Sequence, residues 1–140
     1  MNTTIEQIQT KVPITILTLA GVLDATCYRA VIDNATQLFS AGTRALLLDL
    51  NELTFISSSG LVALHSIALL MRGEQLPDTS EGWSAFHAIS HFVEEGCEFE
   101  NNVKLLNPQP RVKKTLETTG FDHVFEIFTD RDNAIASFQE

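Results

Sequence analysis

The sequence predicts an α/β fold: a mixed, mostly parallel sheet with an N-terminal hairpin, about four helices and an extra helical insert. Three observations lead there. Strand-like and helix-like stretches alternate along most of the chain, the pattern of parallel strands joined by right-handed crossovers. The run Ala45-Leu46-Leu47-Leu48-Asp49-Leu50 is almost continuously apolar, as expected of a strand covered by helices on both faces. Between that strand and the apolar run Leu61 to Met71 stands Ile56-Ser57-Ser58-Ser59-Gly60, three hydroxyls and a glycine.

Taken in order, Thr4 to Thr10 reads as an edge strand and Pro13 to Leu19, rich in β-branched residues, as a clearer one. Lys11-Val12-Pro13 is the expected turn between them, with Pro13 at a strand start, where its missing N–H costs least. Gly21-Val22-Leu23-Asp24 is expected to break the second strand, and Asp24 to cap a helix from Ala25 to about Ser40. Cys27, Val31, Ala35 and Leu38 fall on one face of that helix, and Ala41-Gly42 closes it. The strand Ala45 to Leu50 follows, with Asn51 to Phe55 as a short link.

The helix after the serines carries Leu61, Leu64, Ala68 and Met71 on one side and Ala63, Ile67 and Leu70 on another. Apolar residues around so much of its circumference imply deep burial or a partner. Arg72-Gly73 reads as its end, a cation followed by a C-terminal glycine. Residues 74–101 form an irregular insert containing a shorter helix through Trp83, Phe86, Ile89 and Val93. Its aromatic residues Trp83, Phe86, Phe92 and Phe99 suit a core or a dimer or partner contact. Beyond it come a strand at Val103 to Leu106, a helix at Gln109 to Thr119 stopped by Gly120, a strand at Val124 to Phe128, and a last helix at Asp130 to Phe138. Thr129 or Asp130 is the expected cap of that helix. Val112, Leu116 and Thr119 should face inward on the first of these helices, and Ala134, Ile135 and Phe138 on the second.

The 140 residues are most simply one domain, 1–140, large enough for a sizeable core. Lys+Arg 9 against Asp+Glu 18 leaves a net charge of −9, which opposes nonspecific binding to nucleic acid or to anionic membranes. Cys27 and Cys97 lie far apart and form no C-x-x-C, so reduced thiols in a cytoplasmic protein are expected. Met1 to Thr10 lacks the basic start and apolar core of a signal peptide. Leu61 to Met71 is too short to span a bilayer and is interrupted by His65 and Ser66.

Catalytic and metal chemistry find little support. The G-x-S-x-G elbow of serine hydrolases is absent, and His65 follows the serines without an obvious orienting carboxylate. It reads as a packed or partly exposed helix residue. His87 and His91 stand one helical turn apart, near Cys97, but Ala88 follows His87, so H-E-x-x-H is not formed and a fourth ligand is missing. No glycine-rich phosphate loop occurs. The expectation is a protein that is not an enzyme and needs no cofactor or metal.

The serine turn carries the functional reading. A helix N-terminus offers free N–H groups and partial positive charge, so a serine there can cap the helix, bind a phosphate or be phosphorylated.

Four segments resemble a known family: Leu19-Ala20-Gly21-Val22-Leu23-Asp24, Leu46 to Leu50, Phe55 to Leu64, and Val103 to Pro108 running on through Leu116 to Gly120 and Phe121. Together they resemble the STAS domain of bacterial anti-sigma factor antagonists and related regulators, over most of the chain outside the insert. The family motif usually reads Asp-Ser-Ser-Gly. Aligned on Gly60, its first serine is Ser58, its second is Ser59, and Ser57 stands in place of the Asp. The resemblance implies phosphorylation at Ser58 by a partner anti-sigma factor or related serine kinase, which would shut off binding. It also implies a partner surface of Asp24, Ser57, Ser58, Ser59 and Gly60. The alternative within the family is a non-phosphorylated scaffold or a subunit of a transport or sensory complex. A homodimer is compatible with either.

Overall fold

The computed structural model describes residues 2–71 and 102–139, and the insert lies outside them. In chain order these residues form β1 (Asn2–Ile8), β2 (Ile14–Leu23), α1 (Tyr28–Ser40), β3 (Leu46–Asp49), β4 (Leu53–Ile56) and α2 (Ser58–Met71). After the insert come β5 (Val103–Leu106), α3 (Pro110–Thr119), a 3₁₀ turn (Phe121–His123), β6 (Ile127–Phe128) and α4 (Arg131–Ser137). The strands lie in the order β1-β2-β3-β5-β6, with β4 paired to β2. Only β1 and β2 are antiparallel; the remaining pairs are parallel, as the alternation of elements predicts.

The near-continuous apolar run of β3 follows from its place in the middle of the sheet. Side chains alternate between faces along a strand. Leu46 and Leu48 point into the larger core with Leu17, Leu19, Leu105 and the inner faces of α1, α2 and α3. Leu47 points the other way, with Ile14, Ile16 and Leu106, beneath Ala134 and Phe138 of α4. Val31, Ala35 and Leu38 are the buried stripe of α1, and Val112 and Leu116 that of α3. On α4, Asp130 is the cap, accepting from the N–H groups of Asp132 and Asn133.

Four local expectations are corrected. The second strand does not break at Gly21 but runs on to Leu23. Its register shifts between Gly21 and Val22, and Gly21 takes φ 106°, a conformation that side-chain-bearing residues rarely adopt. Beyond that irregularity β2 pairs with β4, so the stretch Asn51 to Phe55 is not a plain link but leads into a short parallel strand. The Gly21 N–H donates to the Glu52 carbonyl at 3.0 Å, and the Thr54 hydroxyl donates to the Gly21 carbonyl at 2.9 Å. Asp24 does not cap α1, whose N-cap is Cys27 with no side-chain capping bond. Lastly, Val124 and Phe125 are buried after the 3₁₀ turn and only Ile127 and Phe128 are strand.

Candidate functional site

The site is built where β2 and β4 end side by side and α2 begins. Register pairs Val22 with Phe55 and Leu23 with Ile56. The next pair of hydrogen-bonding groups continues the ladder, the Ser57 N–H donating to the Leu23 carbonyl at 2.9 Å. Asp24 and Ser57 are thereby brought to the same edge although 33 positions separate them in sequence.

Each serine of the turn has a different environment. Ser57 is the cap: its Oγ accepts from the Gly60 N–H at 3.3 Å, and its carbonyl accepts from the Leu61 N–H at 3.0 Å. Ser58 is the first helical residue and is exposed; Ser59 is half-buried. Among the described residues the Ser58 hydroxyl has no hydrogen-bond partner. Gly60 is buried against the end of β2, where a Cβ would stand 2.5 Å from Ile56 Cγ1 and 2.8 Å from the Leu23 carbonyl oxygen. That contact leaves room only for glycine.

Behind this turn α2 is buried from Gly60 to Ala68 without interruption. The expectation of deep burial is met, and His65, at 3% exposure, is packed within the helix interface rather than presented at the surface. No acidic residue occupies the first turn of α2, so its partial positive end is not offset from within the helix.

Asp24 is half-buried and engaged locally. Its Oδ1 accepts from the Thr26 hydroxyl at 2.5 Å and from the Thr26 N–H at 3.0 Å. These bonds favour the ionised form and hold the carboxyl below the usual aspartate range, the hydroxyl contributing most. The Cys27 thiol donates to the Val22 carbonyl at 3.2 Å, which closes the turn.

Several contributors are not singled out by the sequence reading. Thr26 orients Asp24, and an Asp followed two residues later by Thr is a local turn signal that could have revealed it. Val22 is 42% exposed beside the site, and nothing in its apolar type foretells that. Arg111 on α3 stacks over the Phe55 ring at 5.0 Å, a pairing made across more than fifty residues of chain. Nearby, Asn107 adopts φ 55° and donates from Nδ2 to Asn51 Oδ1 at 3.1 Å, while Gln109 Nε2 donates to the Asn51 carbonyl at 2.8 Å.

The STAS family model matches residues 6–75, half of the chain, Asp24 and the serine turn included. The chain belongs to the STAS domain family. Its fold is also that of solved structures at low sequence identity. An anti-sigma factor antagonist from Mycobacterium paratuberculosis superposes with a TM-score of 0.67 at 15% identity, covering 99% of this chain and 96% of the other. The Bacillus cell fate determinant SpoIIAA in its phosphorylated form gives 0.54 at 16%, covering 95% and 97%. The unphosphorylated anti-sigma factor antagonist SpoIIAA gives 0.50 at 16%, covering 95% and 96%. No curated protein matches the chain. In this STAS domain the described residues hold no group of three or more His, Cys, Asp or Glu side chains able to share a metal ion. His87, His91 and Cys97 lie outside the described residues, as do the insert helix and its aromatic residues. Among the described residues no helix is long and apolar enough to cross a membrane.

Proposed function

We propose that this STAS domain is an anti-sigma factor antagonist, binding an anti-sigma factor or related serine kinase and switched by phosphorylation at Ser58. The single observation that carries the reading is the division of labour in the serine turn. Ser57 does the capping, so the exposed Ser58 hydroxyl is left without a structural task. A regulatory hydroxyl has to be one the fold can spare.

The chemistry of the switch follows from the surroundings. Phosphorylation adds about −1.5 to −2 charge at neutral pH. At the first position of α2 that charge meets free N–H groups and the positive end of the helix, so the helix would keep its shape. The consequence falls on the partner: a surface docked over Ser58, Ser57, Ser59, Gly60 and Asp24 would have to bury a dianion or withdraw. With Ser57 rather than Asp in the motif, the unmodified surface carries less negative charge and the change on phosphorylation is larger. In this reading the domain is one unit over residues 1–140 with the insert added to it. It acts in the cytoplasm and catalyses no reaction of its own.

The test is incubation with the cognate anti-sigma kinase and ATP, followed by peptide mass spectrometry. Phosphate on Ser58, lost in Ser58→Ala, is the expected result. Affinity for the same partner should be retained in Ser58→Ala and drop about tenfold or more in Ser58→Asp, the loss expected of a buried unpaired charge. Equal affinities with no phosphate transferred would sink the switch and leave a scaffold.

A further inference from the structure

We propose that two copies of this chain pair edge to edge through β1, antiparallel about a two-fold axis at Ile5. This surface is separate from the serine turn, and the proposal does not depend on the function assigned there.

β1 is an edge of the sheet, bonded on one side to β2 and, among the described residues, to nothing on the other. An open edge presents a row of N–H and C=O groups that template another strand, and natural edges are blunted by charged side chains, above all lysine, or by proline, bulges or brevity. Of these β1 has only the charge of Glu6, which is paired with Arg131 of its own protomer. It is seven residues long, NTTIEQI, contains neither Lys nor Pro, and pairs with β2 in unbroken register from Asn2↔Ala20 to Ile8↔Ile14. The proline of the hairpin, Pro13, lies just before β2 instead, where it protects nothing on this edge.

The occupant that fits is a second copy. A two-fold axis perpendicular to the sheet pairs residues of the same parity, so both partners keep their helical layers on the same side. Centred on Ile5, the axis overlaps all seven residues and sets Ile5 against Ile5, Thr4 against Glu6, Thr3 against Gln7 and Asn2 against Ile8. Every other centre leaves overhanging residues. Ile5 is one of two large apolar side chains of the described residues left exposed, at 49%, and this register covers it with itself.

Charge favours the same register. Glu6 is the lone ionisable side chain of β1 and is paired on its own protomer, 2.8 Å from Arg131 Nη2 of α4. Against Thr4 of the other copy it meets no like charge, whereas a register shifted to centre on Glu6 would oppose two carboxylates. A net charge of −9 opposes self-association in general, and β1 adds to it only Glu6, already paired with Arg131.

The pairing predicts a specific cross-link. Directly opposed residues of antiparallel strands have Cα atoms about 4.5–5.5 Å apart, within disulfide range. With Cys27 and Cys97 replaced by serine, Ile5→Cys should give a covalent dimer on mild oxidation. Thr3→Cys, displaced from its symmetry mate by four residues, should not. Sedimentation velocity of the unmodified chain should show a concentration-dependent monomer–dimer equilibrium, and Ile5→Lys should shift it to monomer with unchanged circular dichroism. Three results would overturn the proposal: a chain monomeric at high micromolar concentration, a dimer indifferent to Ile5→Lys, or equal cross-linking of the Thr3→Cys and Ile5→Cys variants.

Discussion

Gly60 packs so tightly on Leu23 that a Cβ at Gly60 would stand 2.8 Å from the Leu23 carbonyl oxygen. That carbonyl also accepts the Ser57 N–H. The same atom therefore sets how close α2 comes to β2 and where the serine turn begins. Gly60→Ala must push backbone and side chains apart in a filled region, since Ile56 Cγ1 is closer still, at 2.5 Å. The expected loss is about 1–3 kcal/mol, read as a lower urea midpoint at constant m-value. A midpoint equal to the parent's would show that the contact relaxes freely.

Ser57 and Ser58 should separate in a stability series. Ser57→Ala removes the cap and should cost about 1 kcal/mol. Ser57→Asp keeps an acceptor at the same place and should be close to neutral. Ser58→Ala, on an exposed hydroxyl, should change stability by less than about 0.5 kcal/mol. Thermal or chemical denaturation of the three variants side by side decides it; a Ser58→Ala loss as large as that of Ser57→Ala would contradict the assignment of the cap.

Asp24 titrates below the usual aspartate range because the Thr26 hydroxyl and N–H donate to it. A depressed carboxyl contributes stability above its unfolded-state pKa, and that contribution fades as pH falls through its folded-state pKa. The sensitive window therefore lies below about pH 4. Thr26→Val removes the hydroxyl donor and should raise the Asp24 pKa toward the ordinary value, followed by NMR titration of its side-chain carboxyl carbon. No movement would mean that the Thr26 hydroxyl is not the main cause.

Lys104 is a cation inside the smaller core, its side chain 9% exposed. Nζ donates to Ser137 Oγ at 2.9 Å, lies 3.5 Å from Glu126 Oε1, and sits 4.8 Å from the Phe138 ring centre. Its partners do not depend on it: Ser137 Oγ also donates to the Ala134 carbonyl, and Glu126 is 40% exposed to solvent. Lys104→Met keeps the aliphatic stem and should be neutral or stabilising. Lys104→Ala leaves a hole beneath α4 and should cost about 2 kcal/mol or more. Calorimetry of the pair distinguishes packing from charge, and a Met variant as unstable as the Ala variant would assign the role to the ammonium.

Much of the fold is readable from residue order because it depends on local periodicity. The strand at Leu46–Asp49, the buried stripe Val31, Ala35 and Leu38, a cap for α4 at Thr129 or Asp130 and the largely apolar α2 all follow from spacing within one element. The misreadings have a common cause. Gly21 reads as a strand end because positive-φ residues usually punctuate, yet here the glycine bends β2 so that its last residues reach β4. Asp24 reads as a helix cap because that is the local habit of aspartate, yet Thr26, two residues on, captures the carboxylate first. Neither β4 nor the end of β2 has a strong pattern of its own; each is a strand because the other is beside it.

By itself the sequence determined the alternation of strands and helices, the apolar character of α2 around most of its circumference, and the presence of three hydroxyls at its start. Only the tertiary structure decided which hydroxyl is spent on capping and which is spare. Ser57, Ser58 and Ser59 are chemically identical, and what tells them apart is the Leu23 carbonyl, brought from 34 residues away by the pairing of β2 with β4. That bond fixes Ser57 at the edge of the sheet, turns its Oγ toward the Gly60 N–H, and leaves Ser58 facing solvent.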